Sequence, residues 1–337
     1  MMAPTQSKFS GCLIGQCLGD ALGFPVEGYP PSTCRKYVEE LRKNDVAGIG
    51  RGGYGFGQYT DDSQLARELV QSFVALRWFD PVDYARRIAL IFAEGAIVGP
   101  GAATKESAER LALGIPWYKA GAKPPSAGNG SAMRAGPVGL IFFDDARLLV
   151  HAACDQGRIT HQDNRCQAGS VAIAGSVAIA LNAGPMDITQ FVSTLYKLVL
   201  GVDESLAVGI KNMEGWLDLP MEEAAGQIAN FGQSAPYPYE RFGIPGFVIP
   251  SVLWSIYSFL KSPEDYWESV STAIMAGGDT DTTAAMTGAI SGAHVGLAGL
   301  PTELAKKVND QGKWDYEKLD ELAGKLYRIK GRGTREE

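Results

Sequence analysis

Cysteine and histidine are both scarce in this chain: five cysteines and three histidines among 337 residues, with no C-x-x-C pair. That spacing excludes a zinc ribbon and a disulfide framework, and isolated thiols suit a reducing compartment. Basic residues are in deficit, 31 Lys+Arg against 38 Asp+Glu for a net charge of −7, so no surplus exists to neutralise a nucleic-acid backbone. The first ten residues hold no apolar run of the secretory kind, and a cytoplasmic protein is expected. Long hydrophobic runs are missing as well. The nearest approaches, Ala168–Gly184 and Ala284–Leu300, are short for a span and rich in Ala, Gly and Ser, so they read as buried helices. There is no G-x-x-x-x-G-K-S/T phosphate loop, no long linker, and almost no alternating strand pattern.

What is present is helical periodicity. Asp62–Phe79 carries Leu65, Leu69, Phe73 and Leu76 on one face; Asp80–Pro81 closes it and opens the next helix, to about Glu94. Further helices are expected at Thr104–Leu113, Asp144–Gln156, Cys166–Leu181, Ile188–Leu200, Asp203–Leu217 and Met221–Phe231. The series continues with Pro250–Leu260, Pro263–Ala276, Thr282–Leu297 and Pro301–Asn309. The expected fold is all-α, a single compact multi-helix domain over residues 8–327 followed by a charged tail at 328–337.

Glycine is in excess, 41 residues of 337, and part of that excess is patterned. Gly11, Gly15, Gly19 and Gly23 recur every four residues, as do Gly288, Gly292 and Gly296. Such stripes share a helix face and let backbones approach closely, at about 1 kcal/mol of helix propensity per residue. Acidic residues gather at their ends. Asp20 and Glu27 follow the first stripe, Gly277-Gly278-Asp279-Thr280-Asp281-Thr282 precedes the second, and Thr60-Asp61-Asp62-Ser63-Gln64 precedes the amphipathic helix. Asp and Thr are good N-caps, and Asp61 with Gln64 fits a capping box. Capping uses one carboxylate per helix, however, and here there are two. If the segments converge, Glu27, Asp61, Asp62, Asp279 and Asp281 form a cluster that is costly unless cations fill it, and hard oxygen donors suit Mg²⁺, Mn²⁺ or Ca²⁺. Both readings, caps and cation site, stand at this level.

Three other segments carry candidate chemistry. Ser126-Ala127-Gly128-Asn129-Gly130-Ser131 can expose backbone N–H groups to an anion, though Asn-Gly is first a turn signal. Thr160-His161 heads a small-residue helix, and Tyr237, Tyr239, Phe242 and Phe247 offer either a stacking wall or ordinary core.

Taken in order, GCLIGQCLGDALGFPVEG at 11–28, YTDDSQLA at 59–66, GNGSAMRAGPVGL at 128–140, THQDNRCQAGSVAIA at 160–174 and GGDTDTTAAMTGAISGAHVG at 277–296 resemble the ADP-ribosylglycohydrolases. That family includes dinitrogenase reductase-activating glycohydrolase. The resemblance implies a dinuclear centre of two divalent cations, Mg²⁺ or Mn²⁺, at helix ends, with Thr60, Asp61, Asp62, Asp279, Asp281 and Thr282 as ligands. It places Glu27 as the mobile acidic residue beside the metals. Gly128, Asn129, Gly130 and Ser131, with Ser126 before them, correspond to the segment around the diphosphate and ribose, His161 to a phosphate-proximal histidine, Gly99 and Gly101 to a ligand-touching loop, and Phe247 to an aromatic near the substrate. The implied reaction is metal-dependent cleavage of the bond between ADP-ribose and a protein side chain, with Glu27 and Asp62 as the carboxylates that position water or move a proton.

Two departures stand out. Ser63 replaces the Thr common after the acidic pair. Arginine-specific bacterial members carry an Asp in the loop that aligns near Ile97–Lys105, where this chain has no carboxylate. The acceptor therefore stays open between arginine and serine, with a small ADP-ribose conjugate as a further substrate and a non-catalytic ADP-ribose-binding relative as the alternative. A helical isoprenoid-diphosphate enzyme fits poorly, because D-D-x-x-D is absent after Asp61. The expected partner is an ADP-ribosylated protein or conjugate, bound by a monomer without membrane or nucleic-acid contact.

Overall fold

In the computed structural model, residues 4–43, 48–182 and 184–333 are described. Helices dominate. The first half of the chain forms α1 (Gln6–Gly23), α2 (Pro31–Leu41), α3 (Asp61–Leu76), α4 (Pro81–Ala93), α5 (Ala102–Ala112), the single turn α6 (Trp117–Ala120), α7 (Gly136–Phe142), α8 (Ala146–Arg158) and α9 (Asn164–Ala180). The second half forms α10 (Ile188–Leu200), α11 (Glu204–Lys211), α12 (Met213–Leu217), α13 (Met221–Asn230), α14 (Tyr239–Phe242), α15 (Val248–Lys261), α16 (Tyr266–Met275), α17 (Thr280–Val295), α18 (Thr302–Ala305) and α19 (Tyr316–Gly333). Among the described residues the only strands are two-residue antiparallel hairpins, β1 (Gly50–Arg51) with β2 (Tyr54–Gly55) and β3 (Asn309–Asp310) with β4 (Trp314–Asp315). No described helix is long and apolar enough to cross a membrane.

The two glycine stripes are one feature. α1 and α17 run antiparallel with their stripes face to face. A Cβ on Gly19 would lie 2.1 Å from the Ala284 carbonyl oxygen, and one on Gly292 would lie 2.0 Å from that of Gly11. No side chain fits between such backbones. Both helices are buried along nearly their whole length, which is why neither shows a polar face. The antiparallel seam sets Gly23 beside Thr280, so the chain leaving α1 and the chain entering α17 meet at the same end of the pair. This pairing brings residues 20–27 next to residues 279–282.

Three expectations need correction. The helix expected over 301–309 is only the turn α18, because the chain doubles back through Gln311 (φ 52°) and Gly312 (φ 74°) to form β3–β4. Asp310 anchors that hairpin inside: its carboxylate accepts from Gln58, Gln64 and Arg67 and pairs with the buried Arg67 guanidinium at 2.6 Å. The helix expected over 203–217 breaks at Asn212 into α11 and α12. The charged tail expected from 328 begins as the last turns of α19, which runs to Gly333; residues 334–337 lie outside the described residues. The sequence reading also passed over α2 and α7.

Candidate active site

α3 starts at Asp61 after Thr60, and α17 starts at Thr280 after Asp279, yet neither N-cap side chain bonds a backbone N–H of its helix. Elsewhere Asp does this job: Asp80, Asp145, Asp163, Asp187, Asp203 and Asp265 each accept from the first turn of their helix. The capping explanation therefore fails at the two helices where the carboxylates are doubled. Gln64, the capping-box partner expected for Asp61, turns the other way. Its Nε2 donates to the Ala96 carbonyl and to Asp310, and its Oε1 accepts from Val98 N, which pins the loop leading to Gly99.

Asp20, buried within α1, ties this acidic turn down. It accepts from Thr60 N (3.0 Å), Thr60 Oγ1 (3.0 Å) and Ser63 N (3.1 Å). Thr60 Oγ1 also lies 2.9 Å from Asp62 Oδ2. One hydroxyl holds one proton, so satisfying both carboxylates at once requires that one of them be protonated. The electrostatics agree. Burial raises the Asp20 carboxyl to about 7, and burial followed by repulsion from neighbouring carboxylates holds Asp61, Asp62 and Asp281 well above the ordinary range. Glu27 is raised by burial and by Asp279, with partial relief from Arg51. That arginine, on β1, lies 3.5 Å from Glu27 Oε2 and donates to its carbonyl, a cation the acidic segments themselves do not contain. Asp62 Oδ1 is buried with no partner.

Gly277 and Gly278 make the meeting of chains possible. Both have positive φ, +69° and +81°, and a Cβ on either would strike backbone of the 29–31 or 242–244 segments. Gly28 N donates to the Gly278 carbonyl at 2.7 Å, and Gly278 N to the Tyr29 carbonyl at 2.9 Å, so the Glu27 turn is stitched to the entrance of α17.

These elements enclose a cavity of about 560 Å³, within the usual range for small-molecule sites. Glu27, Asp61, Asp62, Asp279, Asp281 and Thr282 form its acidic wall. Gly99, Gly101, Gly128, Asn129, Gly130 and His161 form the facing walls, with Tyr237 and Phe242 at the rim. Asn129 links the two sides: Nδ2 donates to Asp279 Oδ2 (2.6 Å) and to Ser251 Oγ (2.9 Å). His161 packs edge-on behind Gly130, where a Cβ would come within 2.9 Å of the ring. Burial, then the Arg134 charge, lowers His161 to about 3, so it is a neutral imidazole.

Four expected site residues do not line the cavity. The Thr60 hydroxyl is held between Asp20 and Asp62 beneath the acidic wall. Ser131 is fully buried and donates to the Cys166 carbonyl, and Ser126 is exposed outside the cavity. Phe247 precedes α15 and pairs by backbone with Gly128, but its ring stacks under the Arg165 guanidinium at 5.3 Å. Of the aromatic quartet, Tyr239 belongs to the core. Sequence reasoning gave no role to Asp310, Arg134 or Thr160, named Asp20 only as an acid at the end of the first glycine stripe, and gave Gln64 a capping role that the structure does not keep. Asp20 and Arg134 stood inside the quoted motifs; Asp310 carried no local signal.

Among the described residues, no three His, Cys, Asp or Glu side chains form a ready-made metal-holding group. The donor chemistry present is two carboxylate turns with hydroxyls and one unpartnered buried oxygen; among the described residues the cations that bear on the acidic wall are Arg51, beside Glu27, and the buried Arg134, whose charge acts on Asp61. Such a set fits hard divalent ions and no softer metal.

The model of the ADP-ribosylglycohydrolase family matches residues 1–335. An uncharacterised protein of Archaeoglobus fulgidus is 31% identical over 324 residues, which cover 96% of this chain and 97% of that protein. Human ADP-ribosylhydrolase ARH3 is 29% identical, with 97% of this chain and 94% of the human protein covered. The ADP-ribosylarginine hydrolase Tri1 of Pseudomonas putida is 25% identical, covering 91% and 76%. A solved structure described as an ADP-ribosylglycohydrolase-related protein complex superposes with a TM-score of 0.74 at 26% identity, covering 96% of this chain and 98% of that one.

Proposed function

Because the chain belongs to the ADP-ribosylglycohydrolase family, we propose that its cavity hydrolyses the glycosidic bond between ADP-ribose and a modified protein side chain, with residues 8–327 as the catalytic domain. The observation that carries this reading is the convergence of five carboxylates on one cavity whose other walls are glycine backbone, Asn129 and a neutral histidine. Charge is concentrated on one side and hydrogen-bond donors on the other. An anionic, sugar-bearing ligand fits only with its diphosphate on the donor side and its ribose toward the carboxylates.

In this reading Asp61, Asp62, Asp279, Asp281 and Thr282, with Thr60 beneath them, hold two divalent cations, Mg²⁺ or Mn²⁺; Asp62 Oδ1 is the buried oxygen left for them. Bound there, the ions supply neutralising charge, a grip on ribose hydroxyls and a more acidic water. The protein's own part is orientation and proton movement. Asn129 steadies Asp279, Asp20 steadies the Thr60–Asp62 turn, and Gln64 holds the Gly99 loop against it. Asp62 and Glu27 are the carboxylates placed to take a proton from attacking water as the anomeric bond opens through an oxocarbenium-like state. The reading takes the protein to be a monomer in the cytoplasm.

Gly99 and Gly101 line the cavity without a carboxylate between them, which favours a neutral acceptor such as serine over a guanidinium. The test is release of free ADP-ribose from arginine-linked and serine-linked peptides in parallel, with Mg²⁺, Mn²⁺ or excess EDTA. Metal-dependent release from the serine-linked peptide is expected. No release from either, with ADP-ribose still binding by calorimetry, would replace the hydrolase with a binding protein.

A further inference from the structure

Behind the donor wall lies a buried cation that no ion pair explains. Arg134 is completely buried and makes no salt bridge among the described residues; the nearest compensation is the Asp61 charge acting across the wall and the Tyr84 ring, whose centre lies 5.7 Å from the guanidinium carbon. Its partners are neutral: Nε donates to Gln156 Oε1 (2.9 Å), and Nη2 donates to the Gln156 carbonyl (2.9 Å) and to Thr160 Oγ1 (2.8 Å), while Nη1 has no partner. Burying an unpaired guanidinium is unfavourable for stability. Its position gives it another use.

A guanidinium only donates, so Thr160 Oγ1 accepts from Arg134 and must send its own proton elsewhere. The neighbour is His161 Nδ1, 2.8 Å away. Nδ1 is the only other partner of that hydroxyl among the described hydrogen bonds, so it is the acceptor for the hydroxyl proton, and a neutral imidazole then carries its hydrogen on Nε2. Nε2 has no protein partner among the described hydrogen bonds, and it faces the Gly128–Gly130 turn, where a Cβ on Gly128 would lie 3.6 Å from it. The main chain that carries the ring is held by Gln167 Nε2, which donates to the His161 carbonyl at 2.9 Å.

We propose that Arg134 and Thr160 are positioning residues that lock His161 in the Nε2–H tautomer and aim that hydrogen into the cavity as a fixed donor to an anionic diphosphate. The ligand named here rests on the function proposed above; the tautomer rests on the geometry alone. The buried guanidinium serves twice, since its charge also keeps the imidazole from taking a second proton and adds positive potential behind the donor wall.

The tautomer is read directly from the ¹⁵N shifts of His161 in the wild-type protein. A protonated Nε2 and bare Nδ1, unchanged between about pH 5 and about pH 8, is the expected pattern. In Thr160→Val, which keeps shape and loses the hydroxyl, both tautomers should appear. The Kd for ADP-ribose should then rise about tenfold, the size of one charge-assisted hydrogen bond, with KM rising more than kcat falls. Thr160→Ser should restore all three readouts, which a purely structural role for the methyl group would not allow. A wild-type His161 protonated on Nδ1, or a folded Thr160→Val protein that binds ADP-ribose as the wild type does, overturns the proposal. A wild type that neither binds nor hydrolyses ADP-ribose overturns the functional reading and the ligand assigned here, whichever tautomer is recorded.

Discussion

Asp62 shows what a buried carboxylate costs when its neighbours are also acids. One oxygen shares a threonine hydroxyl with Asp20 and the other has no partner, while burial and three nearby aspartates oppose its ionisation. A residue kept under such conditions trades stability for chemistry. Asp62→Asn keeps the acceptor for Thr60 and removes a negative charge. The metal-free variant should melt at or above the wild-type temperature while ADP-ribose release falls by about a hundredfold or more. A variant that loses both stability and activity would assign Asp62 to the fold. At this scale the sequence was informative where chemistry is written locally. Thr-Asp-Asp and Gly-Asp-Thr-Asp-Thr stand out as doubled carboxylates, though the sequence left caps and cation site both open, and Gly-Asn-Gly reads first as a turn. Orientation was not legible: nothing near Ser131 says that its hydroxyl faces Cys166, and nothing near Phe247 says that Arg165 covers it.

Among the elements, α1 and α17 depend on each other most closely. Their contact is backbone on backbone, so an added methyl has no side chain to push aside. Gly19→Ala would place a carbon 2.1 Å from a carbonyl oxygen, and a loss of about 3 kcal/mol or more in urea unfolding is expected. Gly215→Ala is the control: a Cβ there meets nothing within 4 Å, and the gain in helix propensity should raise stability by up to about 1 kcal/mol. Equal effects at the two positions would contradict the seam. Element boundaries were legible wherever a cap or a strong period marked them, as at Asp80–Pro81 and over 188–200. α19 was not legible although Leu319, Leu322, Ala323 and Leu326 lie on one buried stripe, because charged residues and glycines interrupt the apolar period over 316–333. The β3–β4 hairpin was missed for a different reason. Asp310 is held by residues 58, 64 and 67, and no window of neighbouring sequence contains that contact.

For the molecule as a whole, the acidic wall sets the pH response. A carboxyl raised in the folded state contributes stability that is complete below its unfolded value of 3.8 and is lost as pH rises through the folded value, about 7 for Asp20. His161 acts in the opposite sense. Lowered from 6.5 to about 3, it withholds stability as pH falls through that interval. Asp20, Asp61, Asp62 and Asp281 outnumber it, so in EDTA the melting temperature should rise as pH is lowered from about 8 to about 5. Mg²⁺ or Mn²⁺ should restore stability far more at the higher pH. A metal-free protein that melts higher at pH 8 than at pH 5 would remove the repulsive cluster from the account. The glycine seam has a consequence of another kind, in the order of events during synthesis. It joins residues 11–23 to residues 280–296, nearly the full sequence apart; Glu27 and the 279–282 turn of the acidic wall ride on it, and Asp20 of α1 ties in the Asp61–Asp62 turn of α3. Contacts so distant along the chain close late and slow the search for the native state. A nascent chain must therefore carry its first helix, poor in side chains and poor in helix propensity, without its main partner until more than four-fifths of the protein has been synthesised. Until then the acidic wall cannot assemble.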